Sequence, residues 1–171
     1  YFPLFGSIIV SGGVKMGENS SSKGKLVVII HPSEIIRHAL ASLLKQSDYQ
    51  ISLLVDSCES LLKQLGSKKS DLVLIHYSEY KSSGMIKQII DRTGAYLALL
   101  ASSDLYHKDS YQDILEQVAD GVTGFLDMDE PLPTFLSELD DIASGDVVIS
   151  KHFVKNLIQN NRVIGDKLDE I

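Results

Sequence analysis

Two periods of apolar spacing alternate along this chain from Lys25 onward. Short continuous apolar runs are separated by stretches in which apolar residues recur every three or four positions. The continuous runs are typical of strands buried on both faces of a sheet, and the stretches between them are typical of amphipathic helices. The predicted strands are KLVVII, YQISLLVD, SDLVLIH, AYLALLA and GVTGFLD.

A predicted helix follows each predicted strand. Ser33 is a plausible N-cap for the helix SEIIRHALASLLKQ. The next helix is SCESLLKQLG. Asp56 stands three residues before Glu59, which is the spacing of a capping box at the start of this helix, and Gly66 is a C-cap signal at its end. The polar segment YSEYKSSG is predicted to be a loop, and the later helices are MIKQIIDRT, DSYQDILEQVAD and EPLPTFLSELDDIASG.

Five β–α units in succession predict an α/β fold built on an open, doubly wound, five-stranded parallel sheet. We place this domain at residues 25–145. Residues 146–171 form a C-terminal extension, with a short extended piece, a helix opened by Ser150 and then a polar stretch. Residues 1–24 form a leader that is either an artificial addition or flexible.

The start of the leader, YFPLFGSIIVSGGVK, is apolar but has no basic n-region and is too short to span a bilayer. Met16, followed by GENSSSKGK, has the character of a native start, so we interpret residues 1–15 as added and exclude them from functional reasoning. Such an apolar tail can still order itself against a sheet edge or a neighbouring molecule.

Composition narrows the class of partner. The 171 residues include 16 basic and 23 acidic side chains, for a formal net charge of −7 at pH 7. This balance gives no overall attraction for nucleic-acid phosphates. The single Cys58 cannot form an internal disulfide, and there is no zinc-type cluster, which suits a reducing cytoplasm. We therefore expect a cytoplasmic segment that binds neither nucleic acid nor membrane directly.

Candidate chemistry lies just after the strands, because ligands of open α/β sheets bind beyond the carboxyl ends of the strands. The residues at these positions are His31, Pro32 and Ser33 after the first strand, His76 and Tyr77 after the third, Ala101, Ser102 and Ser103 after the fourth, and Asp127, Met128 and Asp129 after the fifth.

This arrangement resembles the receiver domains of bacterial two-component response regulators, especially those that precede a LuxR/NarL-type DNA-binding domain. The resemblance runs from Lys25 to Gln159, and its most specific part is GVTGFLDMDEPLPTFLSELDDIASGDVVISKHFVKNLI. The first helix, HPSEIIRHALASLL, has Arg37 and Leu40 where the family has them. The resemblance implies the flavodoxin/CheY-like (βα)5 fold.

The family's phosphorylation chemistry is missing from the matching positions. A working receiver binds Mg²⁺ through an acidic pair after the first strand and an aspartate after the third, and that aspartate accepts the phosphoryl group. Here the acidic-pair positions match His31 and Pro32, and the phosphoacceptor position matches His76. A proline and two imidazoles do not supply the oxygen ligands that Mg²⁺ requires.

Two further family positions have also changed. The hydroxyl position matches Ala101, or Ser102 if the register slips by one residue. The lysine position matches Met128, whose thioether carries no charge and donates no hydrogen bond. We therefore interpret the chain as a degenerate receiver, or pseudo-receiver, in which Mg²⁺-dependent aspartyl phosphorylation does not occur.

Three interpretations of His76 stay open at the level of sequence. It fills a half-buried strand end and bonds to a loop; it joins His31 in binding a transition metal or an anion, with Glu34 or Asp127; or the pair reports pH, since two neighbouring cations disfavour each other. No metal is expected on balance, and His31 and His76 are the only candidates to hold one.

Enzymatic activity is not expected. No nucleophile triad accompanies the serines after the fourth strand, and HPSEIIR lacks the glycines of a phosphate-binding loop, which disfavours a flavodoxin-like enzyme. No cofactor is predicted.

The resemblance implies a role in signal transduction through protein–protein contacts, with homodimerisation as the expected use of the family's surfaces. An output DNA-binding domain after Ile171, or a partner regulator, would make the whole a transcription regulator independent of phosphorylation. The alternative function is a metal- or small-ligand-sensing module that uses the His31/His76 end of the sheet.

Overall fold

The computed structural model describes residues 8–10, 24–102, 111–155 and 158–159. Within them a single sheet contains seven strands. These are β1 (Ile8–Val10), β2 (Lys25–Ile30), β3 (Tyr49–Val55), β4 (Leu72–His76), β5 (Tyr96–Ala101), β6 (Val122–Asp127) and β7 (Val147–Ile149). The helices are α1 (Glu34–Lys45), α2 (Cys58–Gln64), α3 (Tyr77–Ser83), α4 (Ile86–Thr93), α5 (Tyr111–Ala119) and α6 (Leu132–Ala143). Residues 151–155 are also helical.

The strand order is β1-β7-β6-β5-β4-β2-β3, and every neighbouring pair is parallel. The predicted α/β fold with a parallel sheet is confirmed, but the predicted number of five strands is wrong. β7 adds to the edge of β6, with Val148 opposite Gly124, and β1 adds to β7, with Ile8 opposite Val147. The leader that we excluded from functional reasoning therefore contributes an edge strand, in keeping with the expectation that its apolar residues can order against a sheet edge.

Two local predictions are also wrong. Tyr77–Ser83 is the helix α3 rather than a loop; the His76 side chain accepts a hydrogen bond at its start, and Gly84, with φ of 60°, ends it in the left-handed region. The N-cap of α2 is Ser57, whose hydroxyl oxygen accepts from the Ser60 N–H. Asp56 instead accepts hydrogen bonds from the hydroxyls of Ser57 and Ser60.

Other local signals are confirmed. Ser33 caps α1 by accepting from the Ile36 N–H. Ser150 opens the final helical residues, since its carbonyl accepts from the Val154 N–H. The predicted loop SSDLYHK lies outside the described residues except for Ser102.

The core has two layers, one on each face of the sheet. Alternate strand residues point into opposite layers; Val73 and Leu74 are both fully buried, one in each. One layer packs β-strand side chains against α1 and α6, and the other packs them against α2, α3, α4 and α5. Cys58 is buried in the second layer. Among the described helices, none is long and apolar enough to cross a lipid bilayer.

The strand order places the topological switch point at β2, which lies between β3 and β4. The chain leaves β2 toward one neighbour and later returns on its other side, so the connections after β2 and β4 diverge. The resulting crevice lies at the carboxyl ends of these two strands, where His31 and His76 stand.

Gly124 on β6 allows α6 to approach the sheet closely. A Cβ at this position would overlap Cδ1 of Ile142 and would lie 2.8 Å from the Cβ of Ala98. We expect Gly124→Ala to lower the free energy of unfolding by about 1–3 kcal/mol, because the added methyl group overpacks this contact. Urea denaturation measures the loss.

Ile142→Val provides the matched test, because it removes the methyl group that the new Cβ would meet. Alone it should cost about 0.5–1.5 kcal/mol. The double variant should lose less stability than the sum of the single losses, and strict additivity would show that the close approach of Gly124 to Ile142 is not the cause.

Candidate functional site at the carboxyl edge

The two histidines predicted at the carboxyl edge are in ring contact. β2 and β4 are adjacent, with Ile30 opposite Ile75, so the residues that follow them emerge side by side. The ring centroids of His31 and His76 lie 4.5 Å apart, with an angle of 62° between the ring planes. At the switch point of the sheet, the structure therefore brings into contact two residues that are distant in the sequence.

His31 is held as a neutral, buried ring. Only 4% of the residue is exposed, and its Nδ1 accepts a hydrogen bond of 3.0 Å from the Ser33 N–H. The Arg37 guanidinium donates to the carbonyls of His31 and Pro32. Burial, together with the nearby charges of His76 and Arg37, lowers the pKa of His31 from 6.5 to about 4. The ring is therefore uncharged at neutral pH.

His76 is half-buried and serves as the N-cap of α3. Its Nδ1 accepts from the Ser78 N–H at 3.4 Å and lies 2.7 Å from the Ser78 hydroxyl. Burial lowers the pKa of His76, and the Glu79 carboxylate opposes this shift. These contacts agree with the interpretation of His76 as a strand-end residue bonded to the following segment, which is a helix and not the predicted loop.

The hydrogen bonds at Nδ1 determine what the pair can bind. A backbone N–H can only donate, so the Nδ1 of each ring is an acceptor and the proton of the neutral ring lies on Nε2. Metal binding through Nε2 would move that proton to Nδ1, where it would oppose the Ser33 or Ser78 N–H. The arrangement thus presents N–H donors, and no group of three His, Cys, Asp or Glu suited to a metal is found among the described residues.

The two further ligands considered for this pair have other partners. Glu34 lies 3.9 Å from His38 on the exposed side of α1, and Asp127 lies 3.3 Å from His152.

The remaining predicted positions contribute little polar chemistry. Pro32 is exposed, and Ala101 is fully buried as the last residue of β5. Met128 donates its backbone N–H to the Ala101 carbonyl, and its side chain packs against the layer that contains α1 and α6. Ser102, half-buried beside Ala101, supplies the one hydroxyl among these four positions.

Sequence reasoning missed a second polar group at this edge, formed by Asp127, Glu130 and His152. Nδ1 of His152 lies 3.3 Å from Oδ2 of Asp127 and 3.5 Å from Oε1 of Glu130. No local spacing signals the contact, because it joins the β6–α6 connection to a segment that follows β7.

No protein-family model matches the sequence, and no curated protein matches it. Solved structures do match. A response regulator from Thermotoga maritima is 19% identical, with 71% of this chain and 99% of that chain covered and a TM-score of 0.56. A LuxR family two-component response regulator from Aurantimonas sp. SI85-9A1 is 12% identical, with 81% and 98% covered and a TM-score of 0.64. The isolated REC domain of RcsB from Salmonella enterica serovar Typhimurium, with the phosphomimetic BeF3-, is 11% identical, with 78% and 99% covered and a TM-score of 0.63.

At these identities the likeness shows the fold. The chain has the α/β fold of response regulator receiver domains, as the sequence predicted, and one of these neighbours is a regulator of the LuxR family. Its function has to be argued from its own residues.

The buried neutral state of His31 predicts acid sensitivity. Between pH 6.5 and about 4 the unfolded chain binds a proton at His31 and the folded chain does not. The free energy of unfolding therefore falls as the pH falls, with a contribution from this residue of about 2–3 kcal/mol between about pH 7 and about pH 4.5. His31→Asn, which keeps an acceptor for the Ser33 N–H but does not titrate, should remove that contribution.

Urea denaturation at several pH values checks this expectation. His38→Gln, at an exposed histidine of α1, is the matched control for the loss of a histidine side chain. If His31→Asn retained the full acid dependence of the wild type, burial of a neutral His31 would not be its source.

Proposed function

We propose that this chain is an atypical receiver domain of the LuxR/NarL type that signals without aspartyl phosphorylation. The observation that carries the proposal is the paired imidazole group at the switch point of a receiver fold, where phosphorylation would need carboxylates. His31 and His76 fill that position in direct ring contact. The domain acts by binding other proteins, without enzymatic activity or a cofactor.

The carboxyl edge does not offer Mg²⁺ a suitable set of oxygens. The side chains at the carboxyl ends of β2 and β4 are His31, Pro32 and His76, and Mg²⁺ prefers oxygen ligands in octahedral geometry. The carboxylate at the end of β6 itself is Asp127, but only 1% of it is exposed and it lies beside His152. A phosphodonor would have to displace that contact to reach it.

The groups that read a phosphoryl charge are also replaced. The Met128 side chain packs against core residues, and Ala101 is buried. Arg37, whose charge acts on His31, donates to the carbonyls of His31 and Pro32. Charge-dependent movement of a lysine and a hydroxyl toward a phosphoaspartate is therefore absent from the proposed mechanism.

Protein contacts through α1 and α6 are the proposed output, with a homodimer as the first partner. Both helices pack on the same face of the sheet. Ile35 on α1 is 82% exposed, and Leu132 at the start of α6 is also an exposed large apolar residue. A DNA-binding domain or a partner regulator would convert dimer formation into cytoplasmic transcription control.

A second candidate function is a small-ligand sensor at His31 and His76, favoured by the ring contact itself. The protons on Nε2 suit an acceptor such as an anion better than a metal ion. In this case the signal would be occupancy of the crevice between the connections after β2 and β4.

Thermal melts test phosphorylation independence. The melting temperature should not change on addition of Mg²⁺ with beryllofluoride, whereas an ordinary receiver domain measured in parallel should be stabilised. A ligand at about 100 times its dissociation constant stabilises by about 2.7 kcal/mol, which a melt resolves. Stabilisation of this chain by Mg²⁺ and beryllofluoride would overturn the proposal.

The same melts separate the second candidate. Inorganic phosphate, Zn²⁺, Ni²⁺ and a chelator are added in separate samples. A shift that His76→Asn abolishes would favour ligand sensing over contact-driven signalling, and the identity of the active additive would distinguish an anion site from a metal site.

The proposed dimer predicts that Ile35→Glu shifts the chain toward monomer, because a carboxylate would be buried in the interface. Light scattering after size exclusion measures the mass. Leu115→Glu is the matched control, since Leu115 is 44% exposed but lies on α5, on the other face of the sheet. Equal effects of the two changes, or a monomeric wild type at high concentration, would contradict the use of this face.

A further inference from the structure

The sheet ends beyond β6 in two short strands that are held in different ways. β7 pairs with β6, and its side chains enter both core layers: Val148 is fully buried in the layer that contains α1 and α6, and Ile149 packs against the other layer. β1 (Ile8–Val10) pairs with β7 on its outer side. β7 is therefore anchored by contacts that do not involve β1.

The backbone of β7 presents hydrogen-bonding groups on the side away from β6. The Ser150 N–H donates to the Phe125 carbonyl of β6. Backbone groups alternate in direction along a strand, so the N–H groups of Val147 and Ile149 point to the outer side, where β1 lies. A row of this kind is a template for pairing with another strand.

The segment that occupies this edge has the residue types that a strand requires. All the paired residues are branched at Cβ, which favours the extended backbone. They are Ile8, Ile9 and Val10 opposite Val147, Val148 and Ile149. The segment Ile8–Val10 is therefore suited to any copy of this edge, whichever chain presents it.

The connection from β1 to β2 within one chain has to span a long distance. β1 lies five positions from β2 in the strand order, which is about 24 Å. The pairings across the sheet put Val10 level with Ile30, so the chain must also return about 16 Å to reach Lys25.

This span weakens the advantage of the chain's own strand. The straight distance from Val10 to Lys25 is about 29 Å, whereas a Gly- and Ser-rich chain of the same length as residues 11–24 has an average end-to-end distance of about 19–23 Å. Closure within one chain therefore costs conformational entropy. A strand from a second copy reaches the edge without this constraint.

We infer that the outer edge of β7 is a strand-docking site through which two copies of this chain exchange their N-terminal strands. Ile8–Val10 of one copy pairs in parallel with Val147–Ile149 of the other, in the register that the structure shows within one chain. Strand exchange repeats the same backbone pairing twice and leaves neither β7 edge unpaired. It uses a different surface from the α1 and α6 contact of the proposed function, so neither depends on the other.

Two complementary variants of the full chain test the strand exchange. Ile9→Pro keeps the β7 edge but removes the strand, because proline has no N–H and its ring blocks pairing. Ile149→Pro keeps the strand but blocks the edge, and the lost N–H points away from β6, so the pairing of β7 with β6 should be kept. Neither variant can form the β1–β7 pair alone.

Hydrogen exchange is measured on isotope-labelled Ile9→Pro with an unlabelled chain added. The Ile149 N–H of the labelled chain should be weakly protected alone and should exchange about tenfold more slowly as unlabelled Ile149→Pro is titrated to about 1 mM. Unlabelled Ile9→Pro, which has no strand to donate, is the matched control and should have no effect. Protected amides of β4 and β5 report that each variant is folded.

No slowing at about 1 mM, or equal slowing by the two added chains, would overturn the inference. Every variant keeps Ile35 and Leu132, so failure of the proposed α1 and α6 dimer would leave the difference between the added chains unchanged. If Ile149→Pro does not fold, Val147→Pro blocks the same edge at the first residue of β7 and takes its place.

Discussion

Burial of both faces of the parallel sheet is the constraint on which the rest of this structure depends. Neighbouring residues such as Val73 and Leu74 point into opposite apolar layers and are both fully buried. A polar side chain within these strands would lose its hydration on either face. Polar groups therefore concentrate where strands end, and His31, His76 and Asp127 all stand at such ends.

The same constraint explains which parts of the fold the sequence predicts. Strands buried on both faces are continuous apolar runs, and Ser33 marks a helix start through a contact three residues away, so both can be read locally. The helix α3 has no apolar period, and its ends depend on the His76 cap and on Gly84. The strands β1 and β7 are three residues long, and their place in the sheet comes from pairing with distant strands, which no local pattern encodes.

The site divides in a similar way. The resemblance to receivers supplied the strand order. This order predicts that the residues at the carboxyl ends of β2 and β4 lie close together. The hydrogen bonds at Nδ1 of His31 and His76 depend on the backbone geometry of the following turns, and they decide that the rings donate through Nε2. The contact of His152 with Asp127 and Glu130 depends on how the chain turns after β7, so spacing in the sequence contains no trace of it.

A pair of neutral imidazoles also changes whether the carboxyl edge needs a bound cation to balance its charge. A cluster of carboxylates at one crevice repels itself and is relieved by a metal ion or a phosphoryl-bound cation, so the state of such a site depends on an added charge. His31, with its pKa lowered to about 4, carries no charge at neutral pH and has its Nδ1 satisfied by the backbone. Neutral rings at this position create no charge that an ion would have to balance. If the proposed function holds, the free energy that shifts the domain between states must come from contacts made elsewhere. A protein partner can supply it by binding the exposed apolar residues of α1 and α6.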